Sequence, residues 1–323
     1  MTFLSGKQSV ALLLKVILFG LSLWFIYYRV IERENSTDVI RDIKQISSDS
    51  NSLLLLFTAM ILMLVNWSIE ALKWKYLIKK ITAVSFFVSL SSVLSGVTFS
   101  LFTPNRIGEF AGRILHLPQG TRIKAALATV LGNIAQLAVT IFTGSLAGIY
   151  YLQYFELNSW LRVFVLISLV VINLLFILCF FNIRVIERWL LKFKFLKSYT
   201  SYLDAIGNYS RKELINILFL SAARYCVFAS QYVLILKAMQ VETSWQLLYI
   251  PVAMVFVVVT VVPTIALTEL ALRTSVAVAV IGLVSGNALG ILEASFMVWF
   301  INLIIPSLAG SFTLFALKLF KNE

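Results

Sequence analysis

The chain is 323 residues long and 60% hydrophobic, with a formal net charge of +12 and a mean hydropathy of +0.92. That apolar share exceeds what a soluble domain carries, and runs of about 20 apolar residues, each long enough to cross a bilayer as a helix, recur along its length. Unpaired backbone groups are too costly in lipid and the alternating pattern of barrel strands is absent, so the expected fold class is an all-α polytopic membrane protein. The basic excess reads as positive-inside topology and contact with anionic lipid. Nucleic-acid binding is excluded, because no basic domain with stacking aromatics accompanies the charge.

The first apolar run, 10–28, follows Lys7 and lacks a small-residue cleavage site. It reads as a retained transmembrane helix and not as a signal peptide. Further spans are expected at 52–72, 84–102, 123–150, 161–181, 213–237, 246–262, 264–284 and 296–317. Together they make about eight transmembrane helices plus one or two re-entrant hairpins. The whole of 1–323 is expected to be one integral membrane domain, with candidate halves 1–160 and 161–323. No polar stretch is long enough for a soluble catalytic domain. Cys179 and Cys226 both lie in apolar runs without metal or redox spacing, so neither a metal nor a cofactor is expected.

Orientation follows from Lys and Arg in the connections. The segment 73–80, KWKYLIKK, carries four lysines and should be cytoplasmic, while 151–160 carries no Lys or Arg and should be external. The stretch 182–212 holds Arg184, Arg188, Lys192, Lys194, Lys197, Arg211 and Lys212 and should also be cytoplasmic. Its first part mixes bases with Trp and Phe, as an interfacial helix does. These assignments put the N-terminus in the cytoplasm and the chain in the cell inner (cytoplasmic) membrane. They also make 81–122 begin and end on one face. The run 84–102, VSFFVSLSSVLSGVTFSLF, has six serines and Gly96 near its middle. Serines satisfy backbone groups freed where a helix breaks, so this run is expected to dip into the membrane and return. The alternative is a full crossing with one connection assigned to the wrong side.

The polar segment that closes this dip reads TPNRIGEFAGR at 103–113, and VPTIALTELALR at 262–273 echoes it. In each, a proline precedes a glutamate that is followed by arginine at i+4: Glu109 with Arg113, and Glu269 with Arg273. Residues so spaced share a helix face. Proline frees a carbonyl and the following helix offers bare N–H groups, so such junctions attract ions. Paired interrupted helices in two halves of a chain point to a transport site and an inverted repeat. The bland alternative is that each Glu–Arg pair merely stabilises packing.

Other polar groups lie at membrane depth. Arg224, near the middle of 213–237, should face a partner, an aqueous cavity or a phosphate-bearing headgroup. Glu70 reads as part of an interfacial anchor with Trp67, Lys73 and Trp74. His116 reads as a headgroup contact, and the small-xxx-small pair Gly108/Gly112 as a helix-packing device.

The combination TPNRIGEFAGR after a Ser-rich apolar run resembles the Pro-Gly-Arg-x-Gly-Glu motif of the lysylphosphatidylglycerol synthase transmembrane (flippase-like) domain family. Arg106, Gly108 and Glu109 match it, while Asn105 stands where glycine is common. In the second motif Pro263 and Glu269 carry over, and TIALTE replaces the family's glycines. The resemblance implies a stand-alone lipid-moving membrane half without the synthase domain. The function expected on these grounds is a lipid flippase or transporter for an anionic or phosphate-bearing lipid, and not an enzyme. Arg106, Glu109, Arg113, Arg224, Glu269 and Arg273 are the expected substrate-binding residues. The partners expected are membrane lipids with anionic headgroups, and a homo-oligomer is compatible with the sequence. The alternatives are an integral membrane transferase acting on a lipid-linked substrate and a non-catalytic assembly partner. The transferase would need a carboxylate cluster at the membrane surface, whereas Glu32, Glu34, Asp38, Asp42 and Asp49 are scattered among bases.

Overall fold

The computed structural model describes residues 49–103, 106–154, 156–185, 208–262 and 266–320. The expected span 10–28, most of the interfacial segment 182–212 and the prolines of both motifs lie outside the described residues. Those described form α1 (Ser50–Ile78), α2 (Phe86–Leu101), α3 (Gly108–Ile114), α4 (Arg122–Tyr151) and α5 (Ser159–Phe181). They continue as α6 (Arg211–Ala238), α7 (Trp245–Val261), α8 (Ala266–Ile281), α9 (Ala288–Trp299) and α10 (Ile305–Phe320). A π-helical turn, Phe300–Ile304, joins α9 to α10, just before Pro306, whose missing N–H interrupts the regular ladder.

The helix starts are written locally. Asp49 accepts from the backbone of Asn51 and Ser52 at 3.1 and 3.0 Å and begins α1. Those hydrogen bonds, that of the Ser52 hydroxyl first, hold its carboxyl below the ordinary value. Ser210 and Glu213 form a reciprocal capping box before α6, with the Glu213 N–H donating to Ser210 Oγ and Glu213 Oε2 accepting from the Ser210 N–H. Asn287 accepts from the Gly290 N–H at 2.8 Å and opens α9.

Among the described residues, five helical stretches are long and apolar enough to cross a membrane: Ser50–Ile78, Gln119–Tyr154, Ser159–Phe181, Arg211–Ala238 and Ala288–Phe315. In α5 the apolar side chains of Val163, Phe164, Ile167, Val170 and Leu174 are all exposed. A helix apolar all round with so little covered by protein suits lipid and not water. The protein is an all-helical, multi-pass membrane protein. Helices α2 and α7 are shorter, at 16 and 17 residues, or about 24–26 Å against a hydrocarbon core of about 30 Å. Each is followed by a break and a further helix carrying one of the two motifs.

The chain divides into two compact units. One comprises Met1–Met63, Leu101–Arg106 and Ala229–Ile305, and the other Leu64–Ser100, Ile107–Phe228 and Pro306–Glu323. In the first unit, α8 packs on α7. The Tyr232 ring lies 6.0 Å from that of Phe256, tilted by 35°, and its hydroxyl shares a 2.7 Å hydrogen bond with Ser295. In the second, the Trp74 indole donates to Thr129 at 3.1 Å and the Tyr209 hydroxyl to the Leu77 carbonyl at 2.6 Å.

The structure corrects the reading of 84–102. Helix α2 is unbroken through Gly96 and runs to Leu101. Gly96 serves packing: a Cβ at Gly112 would lie 2.4 Å from the Ser95 carbonyl and 2.7 Å from the Gly96 Cα, so α3 touches the α2 backbone. The polar residues of α2 bond neighbours in place of a break. Ser89 donates to the Ala71 carbonyl at 2.6 Å, Thr98 to the Ser307 carbonyl at 2.8 Å, and Ser95 lies 2.8 Å from His116 Nε2. Small residues and hydroxyls are how apolar helices associate where no hydrophobic drive exists between them.

Candidate functional site

A cluster in the second unit is centred on Glu70, whose side chain is 1% exposed. Arg113, on α3, donates to Glu70 Oε1 at 2.7 Å, and Lys73, one turn along α1, sits 2.7 Å from Oε2. Arg224 of α6 approaches the same Oε2 at 3.3 Å. Arg113 also bonds Glu109, one turn back on its own helix. Gln136 of α4 completes the group, its Oε1 lying 3.5 Å from both Lys73 Nζ and Arg224 Nη1. The Arg224 guanidinium stands 5.3 Å over the Trp67 ring, within cation–π reach.

The energetics of this arrangement follow from burial. A lone charge among apolar helices costs several kcal/mol, and only close pairing offsets that cost. Lys73 and Arg113 are as buried as Glu70, whereas the Arg224 side chain is 21% exposed. Arg224 is therefore the outward cation of the three. The reading of Glu70, Trp67, Lys73 and Trp74 as an interfacial anchor is corrected: all four are buried within the protein.

In the first unit, Glu269 occupies the first turn of α8, where the helix dipole favours a carboxylate. Arg273 donates to its Oε1 at 2.8 Å from one turn further on. Arg106 reaches it from the first motif, with Nη2 donating at 2.7 and 2.8 Å to the two oxygens and Nε at 3.2 Å. Such a forked contact is the strong form of an ion pair. Arg106 has a backbone φ of 57°, in the left-handed region that a side chain with a Cβ rarely adopts. Arg273 is buried, and its Nε and Nη1 have no hydrogen-bond partner among the described residues.

The expected residues thus separate into two groups. Glu109, Arg113 and Arg224 meet at Glu70, and Arg106, Glu269 and Arg273 meet at Glu269. Both anticipated i,i+4 pairs form, and Arg106 ties to the glutamate of the second motif. Glu70, Lys73 and Gln136 were not anticipated as site residues. Their signal was present as Asn66, Glu70 and Lys73 on one helical face of an apolar span, and as the amides Asn133 and Gln136 inside α4.

An apolar groove of about 300 Å³ in the first unit is lined by Leu56, Phe57, Met60, Phe296, Phe300 and Ile301 beside the π-turn. Among the described residues no group of His, Cys, Asp and Glu could hold a metal ion. The family described as the lysylphosphatidylglycerol synthase TM region matches residues 12–317. No curated protein matches the chain.

Proposed function

This chain belongs to the lysylphosphatidylglycerol synthase transmembrane-region family, and from that premise we propose that it is a flippase-like lipid transporter and not an enzyme. Its cargo is an anionic or phosphate-bearing lipid, moved between the leaflets of the cytoplasmic membrane, with the N-terminus in the cytoplasm. The observation that carries this reading is the pair of arginine-rich clusters, each next to a break between packed apolar helices and each with guanidinium N–H groups to spare. In this reading Arg106, Arg113, Arg224 and Arg273 meet the phosphate, and Glu109 and Glu269 hold the arginines in position. The apolar groove beside the π-turn suits an acyl chain.

The test is leaflet exchange of labelled phosphatidylglycerol in vesicles containing the purified chain. Exchange above that of protein-free vesicles is expected, with Arg224→Ala and Glu269→Gln slowing it about tenfold, the equivalent of one charge-assisted contact. Exchange no faster than in empty vesicles, for every lipid tried, would overturn the proposal.

A further inference from the structure

Three cations (Lys73, Arg113 and Arg224) face two carboxylates (Glu70 and Glu109) in the second unit, an excess of one positive charge. We propose that the Arg224 side of this cluster is a receptor for one lipid phosphodiester whose headgroup carries no ammonium group. The inference rests on the transporter reading only in taking a lipid as the ligand.

Buried donors without a hydrogen-bond partner outnumber such acceptors at this cluster, where Glu70 Oε2, though ion-paired, and Asn66 Oδ1 one turn back on α1 also have none among the described residues. Arg224 Nε, Arg113 Nε, Trp67 Nε1 and Ser221 Oγ are buried and have no partner among the described residues, and each can donate. Trp67 lies under Arg224, and Ser221 lies one turn before it on α6. A phosphodiester brings acceptor oxygens and a single negative charge, which meets both needs together. An ammonium group would need a carboxylate. Both Glu70 oxygens are already engaged, Oε1 by Arg113 and Oε2 by Lys73 and Arg224. A zwitterionic or aminoacylated headgroup would also add a fourth cation to the three present. The two helices that carry Glu70 and Arg224 also expose Leu64, Val65, Leu72 and Phe219, which suits a ligand delivered with hydrocarbon tails. Inorganic phosphate shares the donor chemistry and lacks those tails.

The full chain in detergent, titrated with short-chain phosphatidylglycerol, phosphatidylethanolamine, phosphatidylcholine or inorganic phosphate, tests the proposal by binding affinity. Phosphatidylglycerol is expected to bind about tenfold more tightly than either zwitterionic lipid, and inorganic phosphate not to compete at equal concentration. Arg224→Gln should abolish the preference, Arg224→Lys should retain part of it, and Arg211→Gln, at an exposed base on the same helix, should retain all of it. If Arg224→Gln does not fold, Trp67→Phe, which keeps the ring and removes the N–H, should still weaken phosphatidylglycerol binding. Equal affinity for all three lipids, full competition by inorganic phosphate, or unchanged binding in both Arg224→Lys and Trp67→Phe would overturn the receptor. Leaflet exchange read in parallel separates the two ideas. Selective binding without exchange removes the transport reading alone, and exchange blind to the headgroup removes the receptor alone.

Discussion

Replacing Glu70 by glutamine removes the one carboxylate shared by Lys73, Arg113 and Arg224 while keeping its size. Arg113 retains Glu109, but Lys73, whose side chain is 1% exposed, is left among the described residues with a neutral amide in place of its counter-charge and the weak 3.5 Å contact to Gln136. Breaking a buried pair by removing one member costs about 3–5 kcal/mol, because the other charge stays buried and uncompensated. At about 2 °C per kcal/mol for a chain of this size, the apparent Tm should fall by about 6–10 °C. Glu109→Gln, at a carboxylate 18% exposed with one cation, should cost far less. Adding Lys73→Met to Glu70→Gln removes the stranded ammonium and should restore part of the loss, a coupling that independent sites would not show. The assay is thermal unfolding of the purified protein in one detergent, followed by tryptophan fluorescence. A Glu70→Gln shift within about 1 °C of wild type, or strict additivity with Lys73→Met, would refute Glu70 as the electrostatic hub.

Gly112→Ala should cost about 1–3 kcal/mol, because the added methyl meets the α2 backbone and not a side chain that can move. Gly120→Ala, with nothing within 4 Å of the added carbon, should stay within about 0.5 kcal/mol in the same melts. Burial holds the His116 imidazole below its ordinary value of 6.5. The unfolded chain then takes up the proton first, so stability is full above the unfolded value and declines as pH falls through it. Unfolding temperatures measured from about pH 7.5 to about pH 5.5 should therefore drop more for wild type than for His116→Gln. Equal drops would remove His116 from that pH dependence.

Much of the architecture was legible because long apolar runs have one stable form in lipid. Helices α1, α4, α5 and α6 fall where hydropathy places them, within a few residues. Serines misled in α2 because a hydroxyl mends a broken helix and joins neighbouring helices with the same residue type. Only the contact between Gly112 and Gly96 decides between the two uses. Within the motifs, the i,i+4 pairs were readable because their geometry is local. The bond from Arg106 to Glu269 spans 163 positions, and no local pattern reports it. Glu70 was misread for a related reason: an acid beside Trp and Lys near a helix end looks the same whether it faces headgroups or distant arginines. Its role appears only when α3 and α6 bring Arg113 and Arg224 to it.

Arg106 carries a further consequence through its backbone. A left-handed φ costs an arginine about 1–2 kcal/mol that glycine would not incur. The fold accepts this where a guanidinium reaches Glu269, so backbone comfort and the bond to Glu269 pull position 106 in opposite directions. A glycine there would relax the backbone and remove the forked contact, leaving Glu269 the bond from Arg273.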